Sequence, residues 1–324
     1  MVAPLAPGTL IFNRYRVVGL AGQGEFGLTY LAEDQNRFNE LSILRELVPQ
    51  QEDPEILEMM RQRFHQGAAA LYELQHNQVP HYRIMFAQGD RLYLVRQYIV
   101  GKSYSAMLHE RQAEGRAFSQ AEVFQLMLQT LPVLTDLHRF GIIHQNLSPH
   151  SIILRRQDQL PVLIEFGLVK QLVARLRLHP VLPDTLTGRE GYMPPELVHA
   201  ESVLPGSDLY GLAATAIALL AGKESKDLVN HFRSHTANWN DQIGLHPELA
   251  KILKRMLHPN PKQRFGSALQ VMRSLQPLIP LILQGNSESD GRLISAHQAQ
   301  ELFGEFYPPT EQSQPVTPVL SSVG

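Results

Sequence analysis

The stretch "GQGEFGLTYLAED", Gly22 to Asp34, decides how the rest of the chain is read. Three glycines stand in a G-x-G-x-x-G spacing, which by itself occurs by chance and also in dinucleotide-binding folds. A dinucleotide fold needs a helix directly after the glycines. Here "LTYLAED" follows, and its alternation of apolar and polar residues reads as a strand. Strand, glycine loop, strand is a different arrangement, in which a hairpin of bare backbone can fold over phosphate groups.

Outward from this hairpin, residues 10–50 form short alternating runs broken by glycine, and "RLYLVRQYI" returns to the same period, with Leu92, Leu94, Arg96 and Tyr98 on one face. Between them lies a helix. Asp53 is a cap candidate, Pro54 suits the first turn, and Ile56, Met60, Phe64, Leu71 and Leu74 make its apolar stripe. Beyond Gly101 the pattern turns helical. Ser119 and Glu122 form a capping-box signature, Pro132 is expected to bend or interrupt the helix that follows, and Gly222 ends an apolar helix beginning near "SDLYGL".

Bulk properties narrow the function classes. The chain has 324 residues, enough for one large bilobal domain or two ordinary ones, and a near-neutral net charge of −2, which argues against a dedicated nucleic-acid binder. It has no cysteine, so thiolate catalysis and zinc–thiolate sites are excluded and a cytoplasmic location is expected. The N-terminus lacks the pattern of a secretory signal, and no stretch reaches the roughly 18 apolar residues of a membrane span, so no membrane association is expected. His138, His144 and His150 recur every six residues, a spacing that fits no compact metal-ligand set.

Several landmarks far apart now fall in order. "IIHQNLSPHSIIL" (142–154) is a polar loop between apolar runs, "IEFG" (164–167) and "GYMPPE" (191–196) follow, then "SDLYGL" (207–212) and "PKQRF" (261–265). With the glycine hairpin, they make the chain resemble the bacterial, cyanobacterial-type branch of the eukaryotic-like Ser/Thr protein kinases over roughly residues 10–280. That resemblance implies an α+β, bilobal protein-kinase fold: a small antiparallel-sheet N-lobe with one long helix at 10–100 and a larger helical C-lobe at 101–283. A leader at 1–9 and a Ser/Pro/Gln-rich, disordered tail at 284–324 complete the expected organisation.

The same resemblance assigns roles. Glu196 and Arg264 are expected to form a buried ion pair, Asp208 to accept backbone N–H groups of the loop, and His144 to open that loop. Gly22, Gly24 and Gly27, with Arg45 and Arg96, would line a nucleotide cleft. The positions that carry chemistry are altered. The family's phosphate-binding lysine is Arg45, and its helix glutamate partner is Gly67. The catalytic aspartate is Asn146, and an amide cannot usefully accept a proton near neutrality. The lysine two residues on is Ser148, one metal ligand is Ser151, and the other is Glu165, a carboxylate one methylene longer for a metal strict about geometry. Arg96 takes the gatekeeper position just before the hinge, and Ile43 the roof over the base; both are expected to narrow the purine pocket. Gln145 replaces the arginine that would read a phosphate on Thr185 or Thr187.

These replacements lead to the expectation of a non-enzymatic pseudokinase, a scaffold or allosteric partner of an active kinase or other signalling protein. No cofactor is expected, ATP with Mg²⁺ being doubtful and Glu165 a metal ligand only if Mg²⁺ binds. The alternative is a weakly active ATP-dependent Ser/Thr kinase, or an ATP-binding sensor without turnover. Arg45 and Glu165, both longer than the residues they replace, are expected to meet and tie the lobes together.

Overall fold

The computed structural model describes residues 3–24, 27–47, 54–89, 91–168, 191–198, 203–223, 243–283, 293 and 295–304. The N-terminal lobe is a six-stranded antiparallel sheet of order β1-β2-β3-β4-β6-β5. Its strands are β1 (Leu10–Ile11), β2 (Tyr15–Gly24), β3 (Gly27–Asp34), β4 (Glu40–Leu47), β5 (Tyr82–Gln88) and β6 (Arg91–Gln97), with helix α1 (Pro54–Glu73) between β4 and β5. The period of two sorts side chains by face. In β3, Leu28, Tyr30, Ala32 and Asp34 are buried. The first three join Ile11, Tyr15, Val17, Leu44, Phe86, Tyr93 and Val95 in one apolar cluster. The register Thr29↔Arg45, Arg45↔Leu94 and Ile43↔Arg96 puts the remaining five residues together on the opposite face.

Glu46, next to Arg45, points away from that second face. It is fully buried and is held by the Tyr30 hydroxyl at 2.9 Å, the Tyr93 hydroxyl at 3.1 Å and Arg91 at 2.6 Å. A carboxylate taken out of water needs such partners. One glycine of the hairpin is fixed by the sheet itself. At Gly27, with φ +152°, an added Cβ would lie 1.7 Å from the Glu46 carbonyl oxygen, so no other residue lets β3 and β4 approach this closely.

Helix α1 buries Met60, Phe64, Ala68 and Leu71, with Leu74 buried just past its end, and packs on β5. A small sheet, β7 (Gly101–Ser103), β8 (Ile152–Arg155) and β9 (Pro161–Leu163), opens the second lobe. The helices there are α2 (Tyr104–Ala113), α3 (Gln120–Arg139), α4 (Pro195–Val198), α5 (Pro205–Ala221), α6 (Pro247–Met256), α7 (Ala268–Leu275) and α8 (Ile279–Leu283). The capping box forms as the spacing implied: Ser119 N donates to Glu122 at 2.8 Å and Glu122 N to the Ser119 hydroxyl at 3.3 Å. Gly222 closes α5 in the left-handed conformation, φ +62°.

Two expectations need correction. Helix α3 is not interrupted at Pro132 but runs through it. Thirteen of its residues from Val123 to Thr135 are buried, and packing on all sides outweighs the roughly 3 kcal/mol that an interior proline costs. The tail is not without structure throughout: helix α9 (Ala296–Gly304) lies against α8 with Ala299 fully buried. Among the described residues, no helix is long and apolar enough to cross a membrane.

Candidate functional site

The loop from Ile142 to Leu154 rests on α5. Asp208 accepts the backbone N–H groups of His144 and Gln145, both at 2.8 Å, and a contact from His138 Nε2 at 2.9 Å. These bonds hold Gln145 at φ +61°, a backbone conformation few non-glycine residues adopt. The helix comes this near because residue 211 is glycine; an added Cβ would meet the Leu147 Cβ and carbonyl oxygen, each at 2.9 Å. The loop is thus pinned to α5 through its main chain.

Glu196 and Arg264 form a bidentate pair, with 2.6 and 2.8 Å contacts, and neither side chain is more than 1% exposed. Arg264 spends its other N–H groups on the carbonyls of His258, Gly206 and Pro259 at 2.7, 3.1 and 3.2 Å. All five guanidinium donors are therefore used. The Ser207 hydroxyl adds 2.7 Å to Glu196. Burial pushes the Glu196 carboxyl up, but the hydrogen bonds from Arg264 and Ser207 prevail and hold it below its ordinary value.

The altered chemical positions converge where the lobes face each other. Asn146 is buried, and its amide nitrogen donates to the Glu165 carbonyl oxygen at 2.6 Å. Ser151 turns inward: its hydroxyl donates to the carbonyls of Asn146 and Ser148 at 2.7 and 3.1 Å and accepts the Ser148 N–H at 3.0 Å. The Ser148 hydroxyl is buried and finds no partner among the described residues. Arg45 reaches across from β4 and donates to the Phe166 carbonyl oxygen at 3.1 Å. It thus ties the lobes at the residue next to Glu165. Arg45 and Glu165 also line one cavity, together with Thr29, Ile43, Tyr82, Leu94, Arg96, Phe166 and Leu168.

That cavity measures about 10 Å³, room for about one water molecule. Arg96 is 7% exposed and donates to the Gln97 carbonyl at 3.1 Å, so it has stayed in the cleft instead of turning to an ion pair elsewhere. Burial draws the Arg96 pKa down, while Tyr82 and Glu165 pull it back up. Burial also pushes the Tyr82 hydroxyl up to about 12 against the opposing pull of Arg96 and Arg45. Gly67 faces Leu168, whose Cδ2 lies 2.9 Å from where a Cβ would stand. Leucine, not a carboxylate, occupies the space beside α1. On the far side of that contact a larger cavity of about 320 Å³ is lined by Arg63, Gly67, Gln145, Leu168 and Val203, among others.

Gly22 and Gly24 lie within strand β2 and not in a loop as expected, the tip between Gly24 and Gly27 falls outside the described residues, and so do Thr185 and Thr187. Tyr82, Thr29 and Leu168 were missed as lining residues. The alternation of β5 and β6 carried a signal for Tyr82, which pairs with Arg96 in register. The helix glycine at 67 carried one for Leu168.

Comparison with known proteins defines the class. The protein kinase domain family matches residues 15–275, and the chain belongs to it. It is 36% identical over 92% of its length to serine/threonine-protein kinase C of Synechocystis sp. and 33% identical over 82% to serine/threonine-protein kinase PknA of Nostoc sp., covering 56% and 48% of those proteins. The chain therefore spans about half the length of these curated relatives. Among solved structures it superposes on the Mycobacterium tuberculosis PknI kinase domain with a TM-score of 0.66 and 23% identity, covering 85% of this chain and 99% of that one. These findings establish the protein-kinase fold and overturn the expectation of a protein that is not an enzyme. Relatives at 30–36% identity are named Ser/Thr protein kinases, which points to an enzyme in spite of the altered loop.

Proposed function

We propose that this chain is an ATP-dependent protein kinase that phosphorylates serine or threonine residues of a partner protein, at a low rate. The observation that supports it most is the 36% identity across 92% of the chain to a protein named as a Ser/Thr kinase. The pinned loop at Asp208 and the Glu196–Arg264 pair agree with it, because phosphoryl transfer asks a protein chiefly for positioning.

The low rate follows from Asn146. Without a carboxylate the acceptor hydroxyl must lose its proton to solvent or to the phosphate, and the loss of a general base costs about 10²–10⁴ in rate.

ATP and Mg²⁺ are the cofactors the family implies, and the small cavity between Arg45, Arg96 and Glu165 does not fit them. A cavity of about 10 Å³ holds no purine. Among the described residues, Glu165 is the one carboxylate lining it beside the guanidinium groups of Arg45 and Arg96, and there is no cluster of three His, Cys, Asp or Glu able to hold a metal.

The test is transfer of labelled γ-phosphate to a library of Ser/Thr peptides. Slow incorporation by wild type is expected, with a gain of about 10²-fold or more in Asn146→Asp. A wild type indistinguishable from heat-inactivated protein, beside an active variant carrying Arg45→Lys, Gly67→Glu, Asn146→Asp, Ser151→Asn and Glu165→Asp, would reject the proposal.

A further inference from the structure

The family match ends at residue 275, yet helical structure continues past it. Helix α8 buries Ile279, Ile282 and Leu283 in the core of the C-lobe. Helix α9 then has a start written into its sequence. The Ser295 N–H donates to the Gln298 side-chain oxygen at 2.9 Å, and the Gln298 N–H to the Ser295 hydroxyl at 3.2 Å. Two backbone donors at the head of the helix are thus satisfied by the segment itself. Ala299 is fully buried in the same core, and Leu293, two residues ahead of the cap, packs against it. A polar stretch that only trailed from the domain would need neither a cap nor a buried alanine.

The neighbours of Leu293 say what the contact holds. Leu293 lines a cavity of about 50 Å³ together with Tyr104 and Met107 of α2, Phe118, Leu154, and Glu122 and Gln125 of α3. The facing walls are braced without it. Arg111 stands over the Phe118 ring at 3.9 Å and pairs with Glu122 at 2.5 and 2.9 Å, and the Tyr104 and Phe118 rings lie 5.9 Å apart. The result is a groove between α2 and α3 into which the C-terminal segment puts one aliphatic side chain. Helix α2 is also the first helix after the link between the lobes. Strand β6 of the large sheet ends at Gln97, β7 follows, and the Ser103 hydroxyl at the end of β7 caps α2 by accepting the Ala106 N–H at 3.1 Å. Leu293 therefore bears on the helix into which the interlobe link runs.

We propose that Leu293 and α9 form a strap that docks in cis on the C-lobe, with Leu293 seated in the groove between α2 and α3, and that the docked strap steadies α2 and the link from which it springs. A protein or a chain segment that pulls on the strap then acts on the connection between the lobes without entering the cleft. The strap does not depend on the kinase reading, because its contacts lie outside the altered loop.

Hydrogen exchange of the full chain, read by mass spectrometry, tests this in wild type, Leu293→Asp, Leu293→Met and Met107→Asp, each first shown by urea unfolding to be folded. Burying one leucine side chain is worth a factor of about ten to a hundred in an equilibrium, so exchange about tenfold faster is expected where the seat is lost. The signature is reciprocity. Leu293→Asp, made on the strap, speeds exchange in β7 and α2; Met107→Asp, made in the groove, speeds it in α9. Leu293→Met keeps an apolar side chain in the seat and stays within about twofold of wild type. Leu293→Ala and Met107→Ala take the place of either aspartate variant that does not fold, with the same reading. Faster exchange confined to the substituted segment, with the opposite segment at its wild-type rate, overturns the strap. The labelled-phosphate assay keeps the two claims apart: reciprocal exchange in a chain that transfers nothing leaves a strap without a kinase, and transfer without reciprocity leaves a kinase without a strap.

Discussion

Arg264 and Arg96 are both buried guanidinium groups, 3% and 7% exposed, and they sit in opposite kinds of surroundings. Arg264 spends five donors on one carboxylate and three carbonyls and has an apolar ring, Tyr210, beneath it at 4.9 Å. Arg96 donates to one carbonyl and lines a small cavity with Arg45 and Glu165. The first arrangement has nothing to gain from change; the second is charged, dry and under-partnered. A buried charge fixes a fold when its hydrogen bonds are complete, and it stores a tendency to move when they are not. The C-lobe uses the one and the interlobe cleft the other.

The largest effect should come from breaking the complete cluster. Arg264→Met leaves Glu196 buried with Ser207 as its remaining hydrogen-bond donor, and urea unfolding should show a loss of about 3–5 kcal/mol. A loss below about 1 kcal/mol would erase the contrast drawn here. Next comes the seat of the loop. Gly211→Ala pushes a methyl against the Leu147 backbone and should cost about 1–3 kcal/mol.

Ser207→Ala sharpens the picture by a smaller step. It removes one bond to Glu196 and should cost about 1 kcal/mol at neutral pH. The Glu196 carboxyl is held below its ordinary value in the folded chain, so its contribution is present above the ordinary glutamate range and is lost as pH falls through the folded value. Ser207→Ala raises that value, so the acid-unfolding midpoint should move to higher pH. Gly67→Ala should have the smallest effect. The new methyl meets the end of a flexible leucine and not a backbone, and the gain of about 1 kcal/mol in helix propensity offsets the contact. A melting temperature within a few degrees of wild type is expected.

The parts legible in the sequence are those where residue type alone fixes a role. Asp208, Glu196 and Arg264 stand at motif positions, and each makes the contact its chemistry requires. The glycine hairpin declared itself through the strand pattern that follows it. The cleft was only half legible. The replacements at Arg45, Asn146, Ser151 and Glu165 could be read, but where their side chains point could not. Arginine at 45 could have met a carboxylate, a phosphate or a carbonyl, and its reach to Phe166 depends on how closely the lobes approach. Reading altered residues as lost activity also went too far, because relatives at 30–36% identity are named Ser/Thr protein kinases. Helix α9 escaped notice because it is short and surrounded by polar composition.

Gly27 carries one more lesson. Because a Cβ there would overlap the Glu46 carbonyl oxygen, the residue is fixed by strand spacing before any ligand is considered. A mutational screen scored on cellular activity would flag it as essential, and so would one scored on protein abundance. Only positions essential in the first screen and neutral in the second report on nucleotide. Half of what looks like a ligand signature can therefore be inherited as masonry, and in this hairpin Gly22, with open space around it, is the better witness.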